Sequence, residues 1–358
     1  MNQKQSGLDI NLGNECSKNA YNWSKKTFEN RKGKAGDLAL DIEGGFANML
    51  QFGKMRIGIA SDGIGTKIEL AERSRIYDTL GYDLLAMVAD DLVAGGFEPT
   101  NISNIIDVDL LDYDTIDALM KGLHDACNFA GVAISGGEIA ELGNRISGYG
   151  EGMHFNWCST AVGVLHESLQ KPIDGQNIEV GDAVISLQSR GFRSNGFSLI
   201  RRIMQQTYGD LWHVQSYDEQ TTWGEKLLTP SLVFSPAIMS LLNAGFQLNG
   251  IAHITGGGIA DNFQRVLKKA GVGAELDNLF PPHLVMQRLQ KLGDVDTNKA
   301  YLYWNMGNGM LIVLPQTSAD EAFSLLGDSG YNARIAGQIV EGKFVHIVTD
   351  SVDLKETY

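Results

Sequence analysis

A repeated passage from a short apolar run into a glycine-bearing loop restricts the fold of this chain more than any other feature. "MRIGIA" (55–60) reads as a buried strand that delivers Asp62 into the loop "SDGIGTK". "VAISGG" (132–137) is another such strand, followed by Glu138, and "WCSTAVGVL" (157–165) is a third. The second half twice repeats strand, loop and helix, in "DAVISLQSRGFRSNGFSLIRRIM" (182–204) and "IAHITGGGIADNFQRVL" (251–267). "YWNMGNGMLIVLP" (303–315) and "ARIAGQIVEGKFVHIV" (333–348) read as strands with turns. Between them, 79–96 reads as a helix: Leu80, Leu84, Met87, Val88 and Leu92 recur at three- and four-residue steps, and Gly95–Gly96 supplies a stop. This alternation specifies an α/β fold. A polar stretch, 166–182, carries Pro172, Gly175 and Gly181 and predicts a boundary between domains at 1–166 and 167–358. Residues 1–35 are polar, with Lys25, Lys26, Arg31, Lys32 and Lys34, and read either as a solvated arm or as a flap near phosphates.

With 358 residues, 43% of them hydrophobic, the chain has material for two full cores. A net charge of −14 lacks the clustered Lys and Arg that nucleic acid requires, so no nucleic-acid partner is expected. Cys16, Cys127 and Cys158 show neither metal nor redox spacing, which fits a reducing compartment. The polar start predicts no signal peptide, and the longest apolar run, "LLAMVA", is far too short to span a bilayer. A soluble, cytoplasmic protein with no membrane partner is the expectation.

"SDGIGTK" resembles a phosphate cradle, but its order is wrong for a P-loop, in which Lys precedes Ser or Thr at the start of a helix. Asp83 and Asp90 lie seven apart on the predicted helix, about 20° from a common face. Acids in an apolar helix are costly to bury unless paired or metal-bound. Two readings stay open. Either Asp62, Asp90 or Asp91, and Glu138 converge from a loop, a helix and a third loop on Mg2+, or the helix acids face solvent. "TGGG" (255–258) is either an anion site at a helix start or a tight turn. Ser194 or Asn195 caps a helix, and His253 is either packed or catalytic.

In order, "GLDINLGN", "EGGFA", "SDGIGTK", "DDLVAGGFEP", "SGGEIAE", "RSNGFSLIRR", "AHITGGG" and "NMGNGM" resemble the phosphoribosylformylglycinamidine cyclo-ligase (AIR synthetase) family over about residues 7–340. The resemblance implies a two-domain AIR-synthetase-like fold. Residues 1–166 would form an ATP-binding and dimerisation domain whose strands build a β-barrel interface in a homodimer. Residues 167–358 would form a C-terminal α/β domain. It implies ATP-dependent ring closure of formylglycinamidine ribonucleotide to aminoimidazole ribonucleotide in purine biosynthesis, through phosphoryl activation of the formyl amide oxygen.

Carried onto this sequence, the resemblance assigns catalysis to Asp62, Asp91, Glu138, Arg193 and Asn195. It assigns ATP to Gly44, Gly45, Asp62, Gly63, Gly65, Thr66, Lys67 and Asp91, and Mg2+ to Asp62, Asp90, Asp91 and Glu138. The phosphorylated substrate falls to Ser194, Asn195, Gly256, Gly257 and Gly258. Four departures stand out. Asp90-Asp91-Leu92 replaces Asn-Asp-Leu, and "GGEIAELG" replaces Gly-Gly-Glu-Thr-Ala-Glu-Met-Pro. Arg193 replaces a histidine before Ser-Asn-Gly, where it is expected to clamp phosphate without shuttling protons. Tyr21 falls where a lysine is expected. Another ATP-dependent member of the superfamily with a different acceptor, or a non-catalytic nucleotide-binding dimer, are the alternatives.

Overall fold

The computed structural model describes residues 10–38, 45–350 and 352–358. The first half runs α1 (Ile10–Lys26), β1 (Asp37–Leu38), β2 (Asn48–Phe52), β3 (Met55–Gly63), α2 (Ile68–Ser74), α3 (Leu80–Ala94), β4 (Phe97–Val108), α4 (Tyr113–Ala130), β5 (Ala133–Glu141) and β6 (Phe155–Leu165). The second half runs β7 (Ala183–Gln188), α5 (Phe197–Tyr208), α6 (Trp223–Leu227), α7 (Ser235–Asn243), β8 (Gly250–His253), α8 (Gly258–Leu267), β9 (Gly273–Leu276), α9 (Leu284–Leu292) and α10 (Thr297–Tyr303). It closes with β10 (Asn308–Leu314), α11 (Ala319–Asp328), β11 (Ala333–Val340), β12 (Phe344–Thr349) and β13 (Val352–Thr357). Two mixed sheets result, ordered β1-β2-β3-β6-β4-β5 and β13-β12-β9-β11-β7-β10-β8. No helix among the described residues is long and apolar enough to cross a membrane.

The predicted helix at 79–96 is α3, and it is buried almost all round, Asp83 and Asp90 included. It lies against one face of the first sheet, where Gly58 admits it: a Cβ there would stand 2.9 Å from Leu92 Cδ2. Its other neighbour, α4, comes equally close. A Cβ on Gly81 would sit 2.0 Å from the Leu123 nitrogen, and one on Gly122 would sit 2.0 Å from the Asp78 carbonyl oxygen. Both glycines are where they are because backbone meets backbone.

Strand register decides where the acids point. Asp62 pairs with Ser159, Ser159 with Asn104, and Asn104 with Gly137, so these residues share the helix-covered face. Glu138 pairs with Ile105 and belongs to the opposite, outer face. Outer-face neighbours include Ile57, Ile59, Val162 and Val164, matched across β3 and β6. Ile105 and Val164 remain exposed there.

Three expectations change. β5 runs on through its glycines to Glu141, so Glu138 lies in a strand and not in a loop, and β3 likewise runs through Asp62 to Gly63. The polar start contains a helix, α1, where an arm was expected. β4, which joins β5 to β6 in the first sheet, was not anticipated: Pro99 and its polar outward residues hide its alternating burial.

Replacing Gly122 by alanine forces α3 and α4 apart. We expect a loss of about 1–3 kcal/mol, read as a lower urea midpoint, with the far-UV circular dichroism retained.

Candidate active site

Three aspartates of α3 reach across to the second half of the chain. The first, Asp83, is fully buried with Lys67, Nζ to Oδ2 at 2.6 Å. Lys67 also donates to the Thr229 carbonyl at 3.0 Å, and Asp83 Oδ1 accepts from the Ser231 amide at 3.1 Å and hydroxyl at 2.5 Å. One turn pair further on, Asp90 Oδ1 accepts the amides of Phe234 (2.8 Å) and Ser235 (3.0 Å) at the start of α7. Its Oδ2 takes Arg193 Nη2 at 2.7 Å. Finally, Asp91 Oδ1 meets His253 Nδ1 at 2.7 Å, and with 18% of its side chain exposed it is the only one of the three that water reaches.

These contacts correct several sequence-based assignments. The α3 acids do not face solvent. Lys67 does not reach a nucleotide phosphate, because its ammonium is wholly enclosed by Asp83 and a carbonyl. Asp90 is not placed to hold a metal: it is sealed from solvent, and three protein N–H groups occupy its oxygens. Nor is Arg193 a phosphate clamp, being only 2% exposed, paired with Asp90 and stacked 4.9 Å from the Phe234 ring centroid. Within one chain Glu138 does not join Asp62 and Asp91, since it points from the other sheet face.

What does come together is an acid pair and two loops. Asp62 feels the charge of Asp91. Surrounding protein raises the Asp62 pKa most, the bond from the Gly63 amide lowers it, and Asp91 raises it again. Gly65 and Thr66 are exposed beside it, and Thr66 Oγ1 lies 3.4 Å from Ser198 Oγ across the two halves. Gly63 ends β3. Gly45 lines a cavity with Phe46, Arg265 and Lys268, whereas Gly44 lies outside the described residues.

On the other side, His253 ends β8 and leads directly into Thr255-Gly256-Gly257-Gly258. Asn262 ties the loop carbonyls from inside, donating to those of Gly258 (2.7 Å) and Gly256 (3.2 Å). Gly257, at φ +95°, opens α8, and a Cβ on Gly258 would strike the Tyr301 carbonyl oxygen at 1.9 Å. The turn carrying Ser194 and Asn195 meets this loop: a Cβ on Gly256 would be 3.6 Å from Asn195 Nδ2. Ser194 Oγ, Asn195 Oδ1, Ser235 Oγ, His253 Nε2 and two Arg193 nitrogens are buried without a protein partner. Buried polar groups seldom stay unpaired, so this concentration marks where a polar ligand or ordered water completes the site. Tyr21 lies on α1, packed edge-on to Phe28.

Sequence reasoning missed the bond from His253 to Asp91 and the whole 229–235 segment that receives Asp83 and Asp90. No motif marks that segment.

The fold and site define a two-domain protein of the AIR synthase type. The N-terminal domain model of AIR synthase related proteins matches residues 44–165, and the C-terminal domain model matches residues 179–349. Curated phosphoribosylformylglycinamidine cyclo-ligases are similar along nearly the whole chain. That of Sorangium cellulosum is 35% identical over 94% of this chain and 94% of its own. That of Thermococcus kodakarensis is 34% identical over 90% of each. A solved structure of AaThiL complexed with AMPPCP and TMP shares the fold at a TM-score of 0.61 and 15% identity, over 94% of each chain. The chain belongs to the phosphoribosylformylglycinamidine cyclo-ligase (AIR synthetase) family.

Burial pushes His253 down to about 3 and Asp91 up to about 7. The pair is therefore neutral, and between about pH 4 and 6.5 it holds one proton whether folded or unfolded. Its own contribution to pH-dependent stability is flat there. Asp91→Asn removes that balance. The buried His253 then resists a proton that the unfolded chain accepts, so the deficit relative to wild type widens as pH falls from 6.5, by up to about 1.4 kcal/mol per pH unit. His253→Asn has the opposite slope, because the raised Asp91 gains its proton earlier in the folded state and the deficit narrows from pH 7 downward. Urea unfolding at pH 7 and pH 5 measures both.

Proposed function

We propose that this chain closes the imidazole ring of aminoimidazole ribonucleotide from formylglycinamidine ribonucleotide, using ATP. The observation that carries the reading is Asp91 held by His253 at 2.7 Å beside the TGGG loop that opens α8, with Asp62 near enough for its charge to interact with that of Asp91. An acid pair suits a metal-bound nucleotide, and free amides at a helix start suit a phosphate. The two halves thus present a nucleotide and a phosphorylated substrate to each other.

The formyl amide oxygen attacks the γ-phosphorus of ATP, and the bond from that phosphorus to the bridging oxygen of ADP breaks. The resulting iminophosphate carries a good leaving group. The amidine nitrogen then attacks the activated carbon, the C–O bond breaks and phosphate leaves with the former amide oxygen. Loss of a proton gives the aromatic ring. Little covalent work falls to the protein, whose part is to align the reactants and neutralise charge. Asn195, at the meeting of the two loops, is placed to hydrogen-bond the substrate, and Gly256, where a Cβ would meet nothing nearer than Asn195 Nδ2 at 3.6 Å, leaves room beside it.

Asp62 and Asp91 supply only oxygen donors, and His253 occupies one oxygen of Asp91. Among the described residues no three His, Cys, Asp or Glu side chains gather as a metal cage. That set fits Mg2+, which takes one or two carboxylates and completes its shell with water and phosphates. When bound, Mg2+ neutralises phosphate charge. We further propose that the apolar outer face of the first sheet is covered by a second copy, which would enclose Glu138 at the interface.

Two outcomes are expected. Purified protein with ATP, Mg2+ and formylglycinamidine ribonucleotide yields aminoimidazole ribonucleotide. Asp62→Asn lowers kcat/KM by roughly a hundredfold or more and loses the melting-temperature gain from Mg-ATP. ATP-dependent stabilisation without any ring closure would move the reading to a different acceptor. For assembly, light scattering should give the mass of two chains, and Ile105→Asp combined with Val164→Asp should give that of one. A wild-type monomer with full turnover would rule out the dimer.

A further inference from the structure

Asp90 on α3 and Arg193 in the turn before α5 meet at 2.7 Å with both side chains buried. We infer that Asp90 and Arg193 are a mutually dependent charged pair, and that Arg193 is a positioning residue for the substrate turn and not a ligand of the substrate. The pairing rests on geometry alone; its effect on substrate rests on the function proposed above.

The energetics make the two positions interdependent. A buried charge is tolerable when paired and costly when left alone. Asparagine opposite Arg193 would strand a guanidinium that is only 2% exposed, and a neutral histidine opposite Asp90 would strand a carboxylate that is 0% exposed. Each change therefore destabilises by itself and is offset by the other.

The positioning role follows from the backbone. Arg193 sits at φ +60°, in the left-handed region that a non-glycine residue adopts at a cost. Asp90 and the Phe234 ring hold its guanidinium, and through it the strained residue. The next residues, Ser194 and Asn195, run to Gly196 at φ +78° and the start of α5. Asn195 faces the TGGG loop from this turn. The neighbouring Asp91 holds that loop through His253. Consecutive aspartates thus grip the two loops separately, and Asp90–Arg193 sets one relative to the other.

The test is a double-mutant cycle of Asp90→Asn, Arg193→His and the combination, read by melting temperature and by steady-state ring closure. Each single change should lower the melting temperature by roughly 5–10 °C. Each should raise KM for the phosphorylated substrate about tenfold while leaving KM for Mg-ATP within about twofold. The combined variant should recover at least about half of both losses. Simple addition of the two losses would overturn the pairing. Equal rises in both KM values would overturn the positioning role. Should a single variant fail to fold, recovery of a folded double variant still supports the pair. Arg193→Lys, which keeps the charge but loses the planar fork, then isolates positioning: it should fold and raise the substrate KM, and an unchanged KM would count against us. The melting cycle needs no substrate, so absence of ring closure in the wild type would refute the proposed function without touching the pair.

Discussion

The burial of carboxylates along α3 is the constraint on which the rest of the structure depends. Asp83 and Asp90 are wholly removed from water, and Asp91 nearly so. A helix carrying such groups between two α/β layers is stable only if each charge is met by a cation or by several N–H donors. Lys67 and Ser231 meet the first, and Arg193, Phe234 and Ser235 the second, while Asp91 is relieved instead by its raised pKa and its bond with the neutral His253. Most of these partners belong to the second half of the chain. The helix of one half is therefore completed by the other, and the halves have little freedom to slide past each other without exposing or stranding a charge.

That clasp is also what sites the chemistry. The contacts on α3 are graded along its length, from an enclosed ammonium pair at Asp83 to a partly wet carboxylate at Asp91. Asp91 alone combines a fixed orientation with access to solvent and to the neighbouring charge of Asp62. Its orientation comes from His253, which also anchors the glycine loop at the start of α8. A site built this way needs no nucleophile or strong base of its own, because phosphoryl activation draws its driving force from ATP and asks the protein for alignment and charge. The buried polar atoms of Ser194, Asn195, Ser235 and His253 that have no protein partner cluster beside this clasp, where a polar ligand or water would complete them.

Much of the fold was legible in residue spacing. The apolar steps of α3, the short strands at β3, β6, β7 and β8, and the strand–loop–helix units around Ser194 and the TGGG loop all follow from local periodicity and glycine placement. Other elements were not fully legible. β4 carries a proline and polar outward residues, yet its inward positions are buried. β5 was legible only at its start: "VAISGG" announces the strand, but its continuation through Glu138 to Glu141 carries no apolar run. In both, pairing with β6 or with one another supplies what the local sequence lacks.

The sequence by itself determined the α/β class and the family. Only the tertiary structure decided which acids do what. Asp83, Asp90 and Asp91 look alike in a helical pattern, since periodicity tells which face of a helix a residue occupies and not what lies opposite. Their partners stand 148, 103 and 162 residues away, at Ser231, Arg193 and His253. The same holds for Lys67 and Arg193, two cations that motif position assigned to phosphates and that folding enclosed with carboxylates. A buried cation is spent on the charge beside it, and that neighbour is set by the packing of distant segments, which no local pattern encodes.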